Sequence, residues 1–447
     1  MFPYVPATDS DKRYMLDKLG LDDIEDLFKD IPDNIRLKTG LKLDQPKAEL
    51  EVMSSLKELA DQNLDASKAA VFLGAGAYDH YIPSVVKHLV SRSEFYTAYT
   101  PYQPEISQGT LQAIFEYQSM ICALTGMDVS NASLYDGASA LAEAALMAAD
   151  ATGRNKVLVS ATVNPESLRV LKTYLNTKGI ELMIIPMHDG VTDTEVLKDK
   201  AGSDTAAILI QSPNFLGYIE DLSEAEKAAH EHKALFVISV DPISLGILRT
   251  PAEWNADIAV GEGQSLGSPM SFGGPGLGFM ACKSALVRRM PGRIIGQTRD
   301  INGKRGFVST LQTREQHIRR DKATSNICSN QALNALAACI YLSTVGREGI
   351  KEIALQCWHK AHYAASAMTR TGRFSLAFDQ PFFMEFPITS DLDPDVIQSS
   401  LLKNGIIGGL SLEKYYPELK NTILYCVTEK RTRLEIDTLC SVLEGLK

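Results

Sequence analysis

The chain has 447 residues, of which 45% are hydrophobic and 22% are charged. This composition is typical of a globular protein with a large buried core, and the length fits one large domain plus a smaller one. The net charge of −10 argues against nucleic acid or an anionic membrane as a partner.

The N-terminus and the cysteines indicate a cytoplasmic protein. MFPYVPATDSDKRYML has no basic segment followed by an apolar run, so no secretory signal is predicted, and the apolar runs are too short to span a membrane. The cysteines are scattered, without a C-x-x-C pair, which favours free core thiols and predicts neither disulfides nor a metal site. They are Cys122, Cys282, Cys328, Cys339, Cys357, Cys426 and Cys440.

The chain divides into three predicted regions. Residues 1–65 form an N-terminal helical arm, because LDDIEDLFKDIP and KAELEVMSSLKELADQN carry apolar residues at helical spacing. Residues 66–330 form a large α/β domain. Residues 331–447 form a smaller α+β domain, in which a long helix beginning at NQALNALAACIYLSTVG precedes the short strands FSLAFD, FFMEFPI, IIGGLSL and TILYCVTEK.

The large domain alternates between predicted strands and helices, which implies a mostly parallel sheet covered on both faces. One helix begins at Asn164-Pro165 and ends before Gly179, and DLSEAEKAAHEHK predicts another. Five short apolar runs predict buried strands. They are KVLVSAT (156–162), ELMIIPM (181–187), AAILIQS (206–212), LFVISVD (235–241) and DIAVGEG (257–263).

Three features follow one another along this domain in an order similar to that of fold-type-I pyridoxal-phosphate enzymes, although any α/β protein can have an Asp at a strand end. DGASALAEAALMAADATG (136–153) begins a helix with small residues, and the backbone N–H groups at such a helix start can bind a phosphate. Asp241 ends a strand, as does the Asp that binds the pyridine nitrogen in such enzymes. A turn or cap residue explains Asp241 equally well. The glycine-rich turn GGPG (273–276) follows.

The lysine that should lie between Asp241 and this turn is absent. Covalent attachment of pyridoxal phosphate needs a primary amine. Lys233 precedes the Asp241 strand, and the next lysine, Lys283, lies beyond the predicted strand GLGFMAC and therefore at the wrong end of the sheet. The sequence thus has the layout of a pyridoxal-phosphate fold without its covalent anchor.

Three stretches resemble the P-protein of the glycine cleavage system, glycine decarboxylase, and the resemblance covers most of the chain. They are FYTAYTPYQPEISQGTLQ (95–112), MPGRIIGQTRDINGKRGFVSTLQTREQHIRRDKATSNICSNQALNAL (290–336) and GEGQSLGSPMSFGGPGLGF (261–279), the last preceded by EWNADIAV. This family exists as one long chain of two homologous halves or as two subunits, and the present chain resembles the N-terminal half, the subunit 1 form.

The resemblance implies where the missing lysine is. In this family the C-terminal half carries it in an H-K-T segment ahead of a glycine-rich turn. Aligning that turn with residues 273–276 places Gln264 at the lysine position and also matches Pro269. Pyridoxal phosphate is therefore expected on a lysine-bearing partner, subunit 2, and not on this chain, in an α2β2 heteromer.

The resemblance also implies a reaction. Glycine loses CO2, and its aminomethyl group passes to the lipoyl arm of H-protein. One alternative is a non-catalytic scaffold that stabilises the catalytic subunit or recruits H-protein. Another is an independent pyridoxal-phosphate enzyme, which the absence of lysine between residues 234 and 282 disfavours.

The loop YTPYQPE is expected to contact glycine or the lipoyl arm. Its two prolines stiffen the backbone, and rigid loops with polar and aromatic tips often line binding sites. The alternative is a proline-stiffened packing loop. The expected contact residues are Tyr99, Thr100, Tyr102, Gln103 and Glu105.

Two further segments carry hypotheses. Thr324, Ser325 and Asn326 precede the long helix, and the resemblance implies that they contact the partner's pyridoxal phosphate; the alternative is helix capping. GAGAYDHYIP lacks the third glycine of a dinucleotide fingerprint, so that interpretation is rejected. Its His80 is expected to be a structural histidine, although the resemblance places it near the site.

Overall fold

The computed structural model describes residues 6–327, 329–370 and 372–446. Its residues group into two units, Met1–Leu64 and Asp65–Lys447. The predicted domain boundaries at residues 65 and 330 stay predictions. Helices of the described residues are α1 (Asp9–Leu19), α2 (Glu49–Ala60), α3 (Ser84–Val90), α4 (Ser93–Tyr96), α5 (Gln108–Thr125), α6 (Gly137–Thr152), α7 (Pro165–Lys178), α8 (Thr194–Lys200), α9 (Ser223–Glu231), α10 (Gln316–Arg319), α11 (Ala332–Thr369), α12 (Pro394–Lys403) and α13 (Arg433–Glu444).

Strands of the same residues belong to one large sheet and several small ones. They are β1 (Ala70–Val71), β2 (Val129–Ser130), β3 (Lys156–Ser160), β4 (Glu181–Ile185), β5 (Met187–His188), β6 (Val191–Thr192), β7 (Thr205–Gln211), β8 (Leu235–Val240), β9 (Ile258–Glu262), β10 (Gly278–Cys282), β11 (Ile294–Arg299), β12 (Arg305–Thr310), β13 (Phe374–Leu376), β14 (Glu385–Ser390), β15 (Ile406–Ile407), β16 (Leu410–Ser411) and β17 (Thr422–Cys426).

The N-terminal unit is built from local contacts. Helix α1 begins with a capping box at Thr8, whose hydroxyl accepts from the N–H of Asp11, and it ends at Gly20 in the left-handed region. The segment LDDIEDLFKDIP forms only a short 3₁₀ turn, Ile24–Phe28, so the helix predicted there is wrong. Neither helix α1 nor α2 has a buried residue, and isolated short helices depend on a buried face for their stability.

The large sheet has the strand order β2-β10-β9-β8-β7-β3-β4. Strands β4, β3, β7, β8 and β9 pair in parallel. Strand β10 pairs antiparallel with β9 on one side and with β2 on the other. All five predicted strands are present, and the predicted mostly parallel α/β architecture is confirmed. Strand β4 lies at the edge of the sheet, where Glu181 and Ile184 are exposed, so the prediction that it is buried is wrong. The helix predicted from Asn164 is α7, which Asn164 caps through its side chain and Gly179 ends in the left-handed region.

Alternate residues of the strands face two separate cores. On β8, Phe236 and Ile238 pack in one core with Tyr117 of α5. Val237 points to the other face and packs with alanines of α6 such as Ala144. This alternation is the two-residue period of a β-strand, and burial on both faces explains why the strand sequences are uninterrupted apolar runs.

The C-terminal region contains the antiparallel sheet β13-β14-β17-β16. The segment IIGGLSL, predicted as one strand, is two: β15 pairs in parallel with β1, and β16 pairs with β17. The break falls at Gly408 and Gly409. A Cβ atom on Gly409 would overlap the carbonyl group of Leu424, so the close approach of β17 requires glycine there. Helix α11 bends at Gly346, where φ is +60°.

The described part of the chain includes six free cysteines, and Cys328 lies outside it. Within the described ranges, no helix combines the length and the apolar character needed to cross a bilayer.

Candidate functional site

Gln264 lies just beyond the end of β9 and is 7% exposed. Its amide oxygen accepts from the N–H of Tyr78 at 2.9 Å. Its amide nitrogen donates to the carbonyl oxygens of Tyr78 at 3.1 Å and Ser268 at 2.7 Å. All of these partners are backbone groups, so the side chain at the expected lysine position connects two loops.

Lys283 is at the opposite end of the sheet, as the sequence predicts. It follows β10, whose last residue Cys282 pairs with Ile258, the first residue of β9. The Lys283 ammonium donates to Asp257 Oδ1 at 2.8 Å and to Asn255 Oδ1 at 2.9 Å. Because β9 rises roughly 3.3 Å per residue, this amine is roughly 20 Å from the Gln264 end.

The N-terminus of α6 is filled by a carboxylate of this chain. Glu262, the last residue of β9, accepts from the N–H of Gly137 through Oε2 at 2.9 Å. Its other oxygen, Oε1, accepts from the N–H groups of Leu277 at 2.7 Å and Gln264 at 2.9 Å. Burial raises the pKa of Glu262, and the N–H donors of Leu277 and Gly137 oppose that shift.

The glycine-rich turn packs against this carboxylate. A Cβ atom on Gly276 would lie 2.8 Å from Glu262 Oε2, and one on Gly278 would overlap the carbonyl of Asp136. The amide of Asn334 on α11 donates to the carbonyl of Gly276 at 2.9 Å. The turn is therefore held between the start of α6 and the start of α11, and this packing explains the glycine at position 276.

Asp241 acts as a turn residue in this structure. Its Oδ1 accepts from the N–H of Ser244 at 2.9 Å, and the Ser244 hydroxyl donates to the Asp241 carbonyl at 2.7 Å. Burial raises the pKa of Asp241, and the charge of His80 opposes the shift.

His80 belongs to a buried ion pair, in agreement with the structural interpretation. Its Nδ1 lies 2.7 Å from Glu429 Oε2, and Glu429 Oε1 accepts from the N–H of Tyr81 at 2.6 Å. Burial lowers the pKa of His80, but the hydrogen bond and charge of Glu429 outweigh it and the pKa is raised. The Cys357 thiol also contacts Glu429, at 3.4 Å, and these three side chains place donor atoms within 4.8 Å of one another. The expected absence of a metal stays a prediction.

Besides Glu429, a second buried carboxyl group, that of Glu385, holds the segment of residues 74–83 in place. Glu385 accepts from the N–H of Ala75 at 2.6 Å and from the Tyr78 hydroxyl at 2.8 Å. Burial raises the pKa of Glu385 to about 7 despite these two donors. Gln264, Glu429 and Glu385 together hold residues 74–83 at several points.

The residues present do not fit a pyridoxal phosphate bound by this chain. The expected lysine position holds Gln264, whose amide is already hydrogen-bonded. The helix start that would receive the phosphate holds Glu262. Asp241 already accepts from the N–H of Ser244 as a turn residue.

The predicted contact loop is exposed at its tips and fixed at its base. Tyr99 is 86% exposed and Tyr102 is 58% exposed, whereas Pro101 is buried. Thr100 is half-buried, and Gln103 is exposed. Proline therefore anchors the loop while its aromatic side chains face outward.

Glu105, the last residue of this predicted set, is exposed. It lies between the loop and α5, which begins at Gln108. The side chain of Gln108 fastens the loop to β12, because its amide donates to the carbonyls of Pro104 at 2.7 Å and Phe307 at 2.8 Å.

Thr324 and Ser325 are half-buried, and Asn326 is exposed. The long helix α11 begins at Ala332 without a side-chain cap, so these residues do not cap it. Ser325 instead accepts from the N–H of Ile327 at 3.1 Å.

Arg293 connects the two predicted sets. Its guanidinium donates to the Tyr102 hydroxyl at 3.3 Å and lies 5.4 Å from the centre of that ring. It also donates to Asn330 Oδ1 at 3.4 Å, and Asn330 donates to the Ser133 hydroxyl at 2.8 Å. Arg293 and Asn330 line two neighbouring cavities. The first is a cleft of about 220 Å³, which Tyr99 and Thr100 also line. The second is a small cavity, which Thr324 and Ser325 also line.

The structure therefore brings the loop and the segment before α11 together around Arg293, whereas Gln264 bonds elsewhere. Sequence reasoning missed Glu262, Arg293 and Glu385. For Glu262 a signal was present, since an acidic residue ends a buried strand two positions before Gln264.

Known proteins resemble the chain along nearly its whole length. The family model for the glycine cleavage system P-protein matches residues 3–443. The probable glycine dehydrogenase (decarboxylating) subunit 1 of Moorella thermoacetica is 56% identical over 443 residues, which is 99% of each chain. The protein of the same name from Desulforamulus reducens is also 56% identical, again over 99% of each chain.

Comparison with solved structures indicates the same family and the fold type. The crystal structure of an inhibitor-bound glycine decarboxylase (P-protein) of the glycine cleavage system matches with a TM-score of 0.90 and 44% identity over 99% of each chain. A sphingosine-1-phosphate lyase from Burkholderia pseudomallei matches with a TM-score of 0.65 and 14% identity, over 92% of this chain and 93% of its own, and so shares the fold alone. A structure whose cofactor is pyridoxal phosphate also shares this fold, with a TM-score of 0.63, over 85% of this chain and 97% of its own. The predicted fold type is thus confirmed, and the chain belongs to the glycine cleavage system P-protein family.

Proposed function

We propose that this chain is subunit 1 of a heteromeric glycine dehydrogenase (decarboxylating) and works in the cytoplasm beside a lysine-bearing subunit 2. The observation that carries the proposal is the hydrogen-bonded Gln264 at the lysine position. The names of the relatives support it, since "subunit 1" implies a second subunit. The expected assembly is α2β2.

In this proposal the partner holds pyridoxal phosphate and this chain completes the partner's site. The cofactor supplies the electron sink for loss of CO2 from glycine. The present chain contributes binding and orientation. Thr324, Ser325 and Asn326 offer hydroxyl and amide donors for the partner's cofactor phosphate.

The YTPYQPE loop provides the surface for glycine or for the lipoyl arm of H-protein, which accepts the aminomethyl group. Exposed aromatic side chains on a proline-stiffened backbone lose little conformational entropy on binding. Tyr99 and Tyr102 have this character, because both are exposed and the Pro101 between them in the sequence is buried. Thr100, Gln103 and Glu105 add polar groups that can orient a small substrate and exclude water.

The loop is tested in the assembled enzyme by Tyr102→Phe and Gln103→Ala, with Tyr14→Phe as a control. Tyr14 is a 64% exposed tyrosine of α1. We expect each loop variant to lower glycine-dependent CO2 exchange by about tenfold or more, because small errors in positioning are costly in catalysis. The control should retain full activity. Full activity in both loop variants would contradict the loop's role and favour the scaffold alternative.

A further inference from the structure

The start of α6 has the geometry of an anion site. The first N–H groups of a helix lack intrahelical partners, and the helix dipole adds partial positive charge there. Asp136 caps the helix by accepting from the N–H of Ser139 at 2.7 Å. The cap does not use the N–H of Gly137, which can therefore bind an anion. It donates to Glu262 Oε2 at 2.9 Å.

Glu262 receives more than this one donor. Its other oxygen accepts from the N–H groups of Leu277 and Gln264 at 2.7 Å and 2.9 Å. Three backbone N–H groups from three segments therefore converge on one carboxylate. Converging backbone N–H groups at a helix start are how proteins commonly bind phosphate.

The Glu262 carboxylate also fills the space between the start of α6 and the glycine-rich turn. A Cβ atom on Gly276 would lie 2.8 Å from Glu262 Oε2, and one on Gly137 would lie 2.9 Å from the Glu262 Cβ. A phosphate placed here would have to displace the carboxylate and would suffer like-charge repulsion from it.

We infer that Glu262 takes the place of the cofactor phosphate in this chain, so that restoring a lysine at position 264 alone would not restore binding of pyridoxal phosphate. This inference rests on the proposed function, in which the partner holds the cofactor. It deepens that proposal, because two side chains of this chain would occupy the place of a bound cofactor. Glu262 fills the position of the phosphate, and Gln264 stands at the position of the lysine.

The test measures binding of inorganic phosphate and pyridoxal phosphate to the full-length chain by calorimetry and by the shift in Tm. Glu262→Ser removes the carboxylate and frees its donors. Glu262→Gln keeps the volume and serves as the matched control. We expect Glu262→Ser to bind phosphate at least tenfold more tightly than the wild-type chain and to gain Tm with phosphate, whereas wild type and Glu262→Gln gain none.

Two results would overturn the inference. One is phosphate binding by the wild-type chain as tight as that of Glu262→Ser. The other is a folded Glu262→Ser chain whose Tm does not respond to phosphate. If Glu262→Ser does not fold in phosphate-free buffer, its refolding yield with added phosphate decides: recovery supports the inference, and no recovery counts against it.

A lysine variant adds a covalent measurement. After treatment with pyridoxal phosphate and borohydride, Gln264→Lys should carry no stoichiometric adduct at position 264, and the Glu262→Ser/Gln264→Lys chain should carry one. A stoichiometric adduct on the single variant would contradict the inference. Failure of the proposed function would look different, since it would appear as activity of the wild-type chain without a partner.

Discussion

The Glu262 carboxylate at the end of β9 accepts a hydrogen bond of 2.9 Å from the N–H of Gly137, the first residue of α6. This bond joins the helix start that the sequence predicts as a phosphate site to the strand that precedes the expected lysine position. The remaining donors to Glu262 come from the loop after β9 and from the residue before β10. The start of α6, the loop after β9 and the start of β10 are thus held together by the Glu262 side chain.

Two glycine substitutions should have opposite effects on stability. Gly278→Ala places a Cβ atom against the carbonyl of Asp136, the N-cap of α6, and should cost about 3 kcal/mol through overpacking. Gly109→Ala lies in α5 with no atom near the new methyl group, and should stabilise the protein by about 0.5–1 kcal/mol. Calorimetric Tm values measure both. An unchanged Tm for Gly278→Ala would show that β10 is not tightly packed against Asp136.

Glu385→Gln should remove a stability loss at alkaline pH. The folded-state pKa of Glu385 is raised from 4.5 to about 7, so its contribution is fully present below about pH 4.5 and is lost as the pH rises through about 7. That loss amounts to about 3 kcal/mol, because one pKa unit corresponds to about 1.4 kcal/mol. The glutamine can still accept from Ala75 and contact Tyr78.

Measured as Tm against pH, wild type and Glu385→Gln should agree near about pH 4, and the variant should be more stable near about pH 8.5. Burial also raises the pKa of Glu143 to about 7, but that group is common to both proteins and cancels. Glu58→Gln, at an exposed position of α2, is the control. Parallel curves for wild type and Glu385→Gln would disprove the prediction.

Glu429→Gln should destabilise the protein most at mildly acidic pH. The raised pKa of His80 gives stability that is present below its ordinary value of 6.5 and is lost as the pH rises through the folded value. The lowered pKa of Glu429 gives stability that is present above 4.5 and is lost as the pH falls. Asp241 and Asp79 raise the pKa of His80 further.

The pair is therefore strongest between these two values, and the variant should lose about 2 kcal/mol there and less at alkaline pH. Thermal unfolding at several pH values measures this, with the exposed Glu418→Gln as a control. A loss that does not vary with pH would mean that His80 is neutral throughout.

Arg293→Lys should impair the assembled enzyme without unfolding it. A lysine cannot donate to Tyr102 and Asn330 at once as the planar guanidinium does. We expect kcat/KM for glycine to fall about tenfold, because the loop loses its fixed position. Arg299→Lys, on β11, is the control, since Arg299 donates to Gly303 in the β-turn that follows. Equal activity of the two variants would show that Arg293 does not position the loop for catalysis.

Much of the fold could be predicted because its signals are local. The five strands of the large domain are uninterrupted apolar runs, and α7 has both its Asn164 cap and its Gly179 end in the sequence. The segment around Ile24–Phe28 forms a short 3₁₀ turn instead of the predicted helix, and its local pattern does not distinguish it from α2, which also has no buried residue. The split of IIGGLSL depends on the approach of Leu424, which no local pattern reveals.

The site could be predicted only in part. The absence of a lysine is visible in the sequence, but the role of Glu262 depends on three segments that meet only in the folded chain. The same holds for Arg293, which joins Tyr102 to Asn330 across long separations. The roles of Tyr99, Thr100, Tyr102, Gln103 and Glu105 stay predictions.

The most direct measurement treats the purified chain with excess pyridoxal phosphate, reduces it with borohydride, and records an intact mass and a peptide map. In parallel, glycine-dependent CO2 exchange is assayed with and without a lysine-bearing subunit 2. We predict no stoichiometric adduct on this chain and exchange only when the partner is present. A stoichiometric adduct on one specific lysine, with exchange by this chain alone, would contradict the account and make the chain an enzyme in its own right.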